Sequence, residues 1–178
     1  MYLFVEMSYI PYALALQGIP YGYWNHQAIP RDDSTPFYAV NGPPPCRDKL
    51  TAQGVSCAGY MNLIRRNMGL PVPGVDDPQE DFPGGTGAWY KYLSPHLKPY
   101  DPQAIYEDGT ILFRPYKDNA DQGHIALVYD GKILHSYAYS WEPFTSVGTV
   151  EPGTSHTAPW KDGYFTHVAP PHAWIPQS

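Results

Sequence analysis

Three residues in this sequence have the side-chain types that nucleophilic catalysis needs: Cys57, His124 and His135. A thiolate is a strong nucleophile, and an imidazole can take up its proton near neutral pH. A second imidazole can hold the first in one tautomer and one orientation. The chemistry that such a set predicts is attack on an amide carbonyl through a covalent acyl intermediate.

Cys57 is predicted to lie in the first turn of a helix. Ser56 is a good N-cap, the apolar residues that follow recur at helical spacing, and Gly69 and Pro71 end the pattern. Unpaired backbone N–H groups and the helix dipole favour a thiolate there, so we expect a lowered thiol pKa. The same N–H groups could stabilise an oxyanion. The alternative interpretation is a small core residue on a helix.

The two histidines are predicted to meet on a β-hairpin. The Asp-Gly pair at 130–131 favours a two-residue loop between strands 124–129 and 132–139. That register places His124 and His135 on one face as diagonal neighbours, close enough for their rings to touch. Each histidine taken alone is better explained as a polar residue on a strand surface.

The remaining elements predict an α+β fold, with an antiparallel sheet and helices packed on one of its faces. Residues 25–54 are dense in proline and other breakers, which predicts one long loop without a helix, and this insertion could serve as a lid. The other predicted elements are a short helix from Ser8 to about Gly18, a helix from Thr86 to before Pro95, and strands at 110–113 and 164–168.

Composition limits the classes of function. The 178 residues suit a single domain over 1–178, and we expect a monomer. The net charge of −6 disfavours nucleic acid as a partner. No apolar run approaches the roughly 20 residues of a membrane span, and the chain begins without the basic leader of a secretion signal. Two cysteines cannot form a disulfide framework, and the histidines lack the spacing of metal ligands.

Several stretches together resemble the NlpC-type cell-wall cysteine peptidases of the papain-like superfamily. That family has a helix-starting cysteine within DCSGF, a later strand GHVGIY and a second histidine further on. The matching stretches here are SCAGY around Cys57, GHIALVY around His124 and ILHSY around His135. DGTILF at 108–113 resembles the family's GDLVFF strand, and GIPYGYW at 18–24 resembles its GxPYxWGG.

The resemblance implies a papain-like fold and hydrolysis of amide bonds in peptidoglycan stem peptides. It implies Cys57 as nucleophile, His124 as general base and His135 as the residue that orients it. Tyr21 and the backbone N–H of Cys57 would support the oxyanion. Neither a metal nor a cofactor is implied.

Two departures from the family pattern concern the substrate. The family's aspartate before the cysteine, which helps to hold a free stem-peptide amine, is Ser56 here, so we expect Ser56 at the substrate end with altered recognition. The stretch between Trp24 and Cys57 is also longer than is usual in the family. GIPYGYW, DQGHIALV and YFTHV are most similar to peptidase domains of phage endolysins from actinobacterial hosts. That similarity implies a location in the host cytoplasm before release and at the cell wall afterwards.

Two other classes of function stay open. A papain-like relative could use the same triad as an acyltransferase or amidase. A catalytically idle module could keep the fold and only bind the wall.

Overall fold

The computed structural model describes residues 9–22, 39–118, 121–137, 153–157 and 164–176, with the backbone alone for 153–157. The α-helices in this part of the chain are α1 (Tyr9–Ala15), α2 (Arg47–Gln53), α3 (Cys57–Asn67) and α4 (Thr86–Leu93). The strands are β1 (Lys98–Pro99), β2 (Ile111–Arg114), β3 (His124–Tyr129), β4 (Lys132–Tyr137), β5 (Gly153–Thr157) and β6 (His167–Ala169). Short 3-10 turns follow at Ser94–His96 and Pro171–Ala173.

The strands form one antiparallel sheet in the order β1-β6-β2-β3-β4-β5, which confirms the α+β class. Strand β2 is shifted by one residue from its predicted position, and β6 starts three residues later than predicted. Strands β1 and β5 were not predicted. The first has two residues and contains a proline, and the second, GTSHT, lacks the apolar residues on which strand prediction depends.

The β3–β4 hairpin has the predicted loop. Asp130 and Gly131 have φ angles of 49° and 67°, the pair of left-handed residues that suits a tight turn between twisted strands. The observed partners Val128 with Ile133 and Tyr129 with Lys132 confirm the predicted register. Side chains therefore alternate between the two faces in the way that the histidine argument requires.

The helices cover one face of the sheet, as predicted. Helix α3 packs against β3 and β4 and also contacts α1. The core between the helices and the sheet contains large, fully buried apolar side chains: Tyr60, Met61, Leu63 and Ile64 from α3, Trp89 from α4, and Ile111, Phe113, Ile125 and Leu127 from the sheet. A smaller cluster lies on the opposite face, around Ala126, Val128, Ile133 and Phe165.

The prediction that residues 25–54 contain no helix was wrong. Helix α2 covers Arg47–Gln53, where the prolines have ended and every residue tolerates a helix. Leu50, 1% exposed, anchors it in the core, and Gly54 ends it with a φ of 76°. Residues 25–38, the first part of the stretch that could serve as a lid, lie outside the part that the structure describes.

Helices α3 and α4 begin at the residues that the sequence predicts, and α1 lies within its predicted span. None of the helices in the described part of the chain combines the length and the hydropathy that a bilayer crossing requires.

Candidate active site

The start of α3 places Cys57 at the edge of the core. Ser56 is extended and its Oγ accepts a hydrogen bond from the Gly59 N–H at 3.1 Å, which is the predicted N-cap. Cys57 is therefore the first helical residue, and its side chain is 7% exposed. The nucleophile of the sequence prediction lies at a helix tip, but it is buried there.

Burial raises the pKa of the Cys57 thiol to about 11, against the lowered pKa that the sequence predicted. Backbone N–H groups of Ile125, Ala58 and Cys57 itself act in the opposite direction, because each stabilises a negative sulfur. Desolvation outweighs them. The backbone N–H donors that the helix tip predicts are present, but little water reaches the sulfur, and this raises the thiol pKa.

The Ile125 N–H also locates the sulfur relative to the hairpin. Ile125 follows His124 directly, so a thiol that this N–H reaches lies beside the first residue of β3. Sequence reasoning missed this donor, since nothing in the pattern says which backbone group of the sheet faces the helix tip.

The two histidines are in direct contact, as the hairpin register predicts. His124 Nε2 and His135 Nδ1 are 2.7 Å apart, with ring centroids at 5.0 Å and an angle of 77°. Both side chains are buried, at 1% and 0% exposure. Because Nε2 of His124 lies against His135, the nitrogen that must face the thiol, if His124 is the base, is the buried Nδ1.

Burial also lowers the pKa of both imidazoles. The pKa of His124 falls to about 3, and that of His135 falls well below its ordinary value through desolvation and the neighbouring His124. At neutral pH the candidate site therefore contains a neutral thiol and two neutral imidazoles. Charge separation must be produced during the reaction rather than stored beforehand.

Aromatic rings enclose the histidine pair. Phe165 lies nearly parallel to the His124 ring at 6.0 Å, and the Tyr164 ring meets it at 6.0 Å and 61°. Tyr137 stacks on His135 at 5.0 Å and 16°. The stretch at 164–168 is predicted as a strand and belongs to the endolysin similarity, but neither places it against the histidines. A YF pair is a weak signal by itself, so its packing against His124 could not be foreseen.

Arg114 holds Tyr164 in place. Its guanidinium lies 5.2 Å from the Tyr164 ring centre and donates to the Tyr164 carbonyl at 3.0 Å. It also binds both carboxylate oxygens of Asp121, at 3.1 and 2.5 Å, and holds the pKa of that carboxyl below its usual range. The Tyr164 pKa is raised by burial first and by the neighbouring Cys57 second, so the hydroxyl stays protonated.

Tyr21, the predicted oxyanion partner, lies in a segment that runs beside the approach to Cys57. The Val55 N–H donates to the Pro20 carbonyl at 2.9 Å. Gly22 and Gly54 approach so closely that a Cβ on either would collide with the other segment's backbone. The backbone of Tyr21 is thereby fixed near Ser56, while its part in catalysis stays a prediction.

The chain superposes on the crystal structure of the P60 domain of an antigen from M. avium subspecies paratuberculosis, covering 92% of this chain and 91% of that one. The fold is that of a P60 domain. The TM-score is 0.50 and the sequence identity 16%, so the likeness concerns the fold. Neither a family model nor a curated protein sequence matches the chain.

The other candidate residues lie apart from this P60-fold site. Cys46 is exposed at the start of α2, and both cysteines are free thiols. Within the described ranges no three His, Cys, Asp or Glu side chains lie close enough together to hold a metal ion. Of the histidines near the end of the chain, His167 contacts Thr166 and Tyr90, and His172 contacts His96. The side chain of His156 lies outside the described part.

Proposed function

We propose that the protein is a cysteine peptidase that hydrolyses amide bonds in peptidoglycan stem peptides. The observation that carries the proposal is the 2.7 Å contact between two buried imidazoles, on strands that pack against the helix that Cys57 begins, in the fold of a P60 domain. Activation of a thiol requires a general base that takes up its proton, and a second ring hydrogen-bonded to that base holds it in one orientation.

The first half of the reaction starts from neutral groups. As Cys57 Sγ bonds to the amide carbonyl carbon, its proton moves to Nδ1 of His124, and His124 Nε2–H keeps donating to Nδ1 of His135. The carbonyl oxygen becomes negative, and the N–H groups near the sulfur, with the Tyr21 hydroxyl, are its proposed donors. His124 then protonates the amine, the C–N bond breaks and a thioester remains.

The second half reverses these roles. A water molecule attacks the thioester carbon while His124 Nδ1 takes its proton. The C–S bond breaks, the proton returns to the sulfur and a carboxylic acid product leaves. The residues of this cycle are Cys57, His124, His135 and Tyr21, with Ser56 at the substrate end.

The biological setting proposed for this activity is lysis by a phage endolysin. It is supported by the similarity of GIPYGYW, DQGHIALV and YFTHV to endolysin peptidase domains. The enzyme would then accumulate in the host cytoplasm and act on the cell wall after release, as a single catalytic domain.

The test is digestion of purified cell wall and of defined muropeptides, with fragments identified by mass spectrometry. We expect the native protein to clear the wall suspension and release peptide fragments. Cys57→Ala should lose this activity, and Cys46→Ala, which removes the exposed thiol, should keep it. Equal rates for Cys57→Ala and the native protein would reject the proposal.

One observation favours the idle wall-binding module as a second candidate. A thiol with a pKa near 11 beside neutral imidazoles is a poor nucleophile until substrate or a proton transfer changes it. The two candidates differ in the alkylation of Cys57 by iodoacetamide at neutral pH. A peptidase should show a Cys57 rate that depends on His124, whereas in an idle module His124→Gln would leave that rate unchanged.

A further inference from the structure

The buried hydroxyl of Ser136, the residue after His135, is hydrogen-bonded to the segment that leads to Cys57. Ser136 follows His135 on β4, is 0% exposed, and donates from Oγ to the Val55 carbonyl at 2.5 Å. Side chains alternate along a strand, so Ser136 points toward α3 while His135 points to the opposite face. Val55 directly precedes Ser56, the N-cap of the helix that Cys57 begins.

A second link joins the same two parts of the site. The backbone N–H of Ile125, the residue after His124, lies near enough to Cys57 to lower the pKa of its thiol. Each histidine is thus followed by a residue that lies close to the segment carrying the nucleophile. Of the two links, only the one from Ser136 uses a side chain and can be removed by substitution.

We infer that Ser136 is a positioning residue, which sets the separation between Cys57 and the histidine pair by tying the entry of α3 to strand β4. The inference rests on the proposed function, because it assigns Ser136 a role in that site's chemistry. Ser136 acts through Val55 and the helix start and does not itself touch the substrate.

The physical basis is that the Val55 carbonyl is buried and Ser136 is its hydrogen-bond donor. Without the hydroxyl the carbonyl would lose its partner in a site with little water, and the helix entry would shift to restore one. Misplacement of a reacting group by about 1 Å can cost roughly 100-fold in rate. Tyr164 lies close enough to Cys57 for the thiol to raise its pKa, and Tyr164 in turn contacts His124 and Arg114, which binds Asp121.

The test compares Ser136→Ala with Tyr60→Phe. Tyr60 also lies near the start of α3, and its hydroxyl makes the same kind of buried bond, to the Ala13 carbonyl at 3.0 Å, but toward α1. Two readouts are taken: the rate of Cys57 alkylation by iodoacetamide from pH 5 to 10, on a Cys46→Ala background, and kcat and KM on a muropeptide.

We expect Ser136→Ala to alter the pH profile of Cys57 alkylation and to lower kcat by about 10- to 100-fold with KM little changed. Tyr60→Phe should lose comparable thermal stability yet keep the native profile and kcat. If Ser136→Ala does not fold, Ser136→Thr and Ser136→Val, which have the same shape but differ in the hydroxyl, take its place, and only the threonine should preserve the profile.

The inference would be overturned if folded Ser136→Ala kept the native alkylation profile and the native kcat. It would also be overturned if Tyr60→Phe changed both readouts as much as Ser136→Ala does. The alkylation readout needs no substrate. If the native protein cleaves no wall peptide, the proposed function is wrong. The comparison of alkylation profiles would still show whether Ser136 positions Cys57 relative to the histidine pair.

Discussion

The two faces of the β3–β4 hairpin are equally buried, but only the face away from α3 carries histidine side chains. Toward α3 the hairpin presents Ile125, Leu127 and Leu134, each at most 2% exposed, within the main apolar core. On the other face it presents His124 and His135, at most 1% exposed and enclosed by aromatic rings. The same strands thus serve two purposes through the alternation of their side chains.

The difference shows what burial achieves on each side. On the helix face, removal of apolar surface from water stabilises the fold. On the outer face the same exclusion of water lowers the pKa of both imidazoles, and at the helix tip it raises that of Cys57. Substitution of the two histidines on the outer face should therefore change chemistry more than stability, and substitution of the apolar side chains on the helix face should do the reverse.

The largest effect is expected for His124→Gln. Glutamine keeps a polar group of similar length but cannot accept and return the thiol proton, so kcat on a muropeptide should fall about 1,000-fold, within the range for loss of a general base. Circular dichroism and urea unfolding should show a folded protein. If His124→Gln kept its kcat but unfolded more readily, the outer face would be a structural one and the comparison would fail.

The opposite substitution is Leu127→Ala. Leu127 is fully buried in the core beneath α3, so loss of its side chain should lower the free energy of unfolding by about 2–5 kcal/mol. Urea denaturation measures this loss, and kcat per folded molecule at low temperature should stay native. A reduced kcat without loss of stability would contradict the assignment of Leu127 to the structural face.

Lowering the pH should decrease the free energy of unfolding, because the folded protein keeps both buried histidines neutral. In the unfolded chain a histidine takes up a proton near pH 6.5, but in the folded protein His124 stays neutral down to about pH 3. The unfolded state therefore binds more protons in this window, and stability must fall as the pH drops below about 6.5. The expected slope is about 1.4 kcal/mol per pH unit for each histidine that stays neutral.

Urea unfolding at several pH values between 4 and 8 measures this slope. His135→Asn should reduce it, since one buried imidazole is gone. His96→Asn, which changes an exposed histidine, serves as the matched control. Equal slopes in the native protein and in His135→Asn would show that the pair does not titrate in the way its burial implies.

The hairpin and the start of α3 could be predicted from sequence because local signals specify them. A two-residue loop fixes the register at 130–131, and Ser56 fixes the first helical residue, so the meeting of His124 with His135 follows from alternation alone. Helix α2 was missed because its signal depends on burial of Leu50, a tertiary contact without a local pattern.

The electrostatics of the site could not be predicted from the same signals. A helix tip and a nearby imidazole favour a thiolate, but the sign of the shift depends on how much water reaches the sulfur. That quantity depends on residues distant in sequence, such as Ile125 on the neighbouring strand and Tyr164 near β6. Spacing identified which groups meet, and packing determined their protonation.

The smallest predicted effect concerns Ser56, the N-cap of α3, which directly precedes Cys57. Its Oγ accepts the Gly59 N–H, so Ser56→Ala should cost about 1 kcal/mol of unfolding free energy through loss of the cap, while Ser56→Thr should cost less. Urea denaturation measures both, and KM for a stem peptide with a free amino terminus separates the two roles of the residue. A KM that rises in Ser56→Ala and not in Ser56→Thr would assign the hydroxyl to the substrate as well as to the helix, whereas a stability loss with native KM would restrict it to capping.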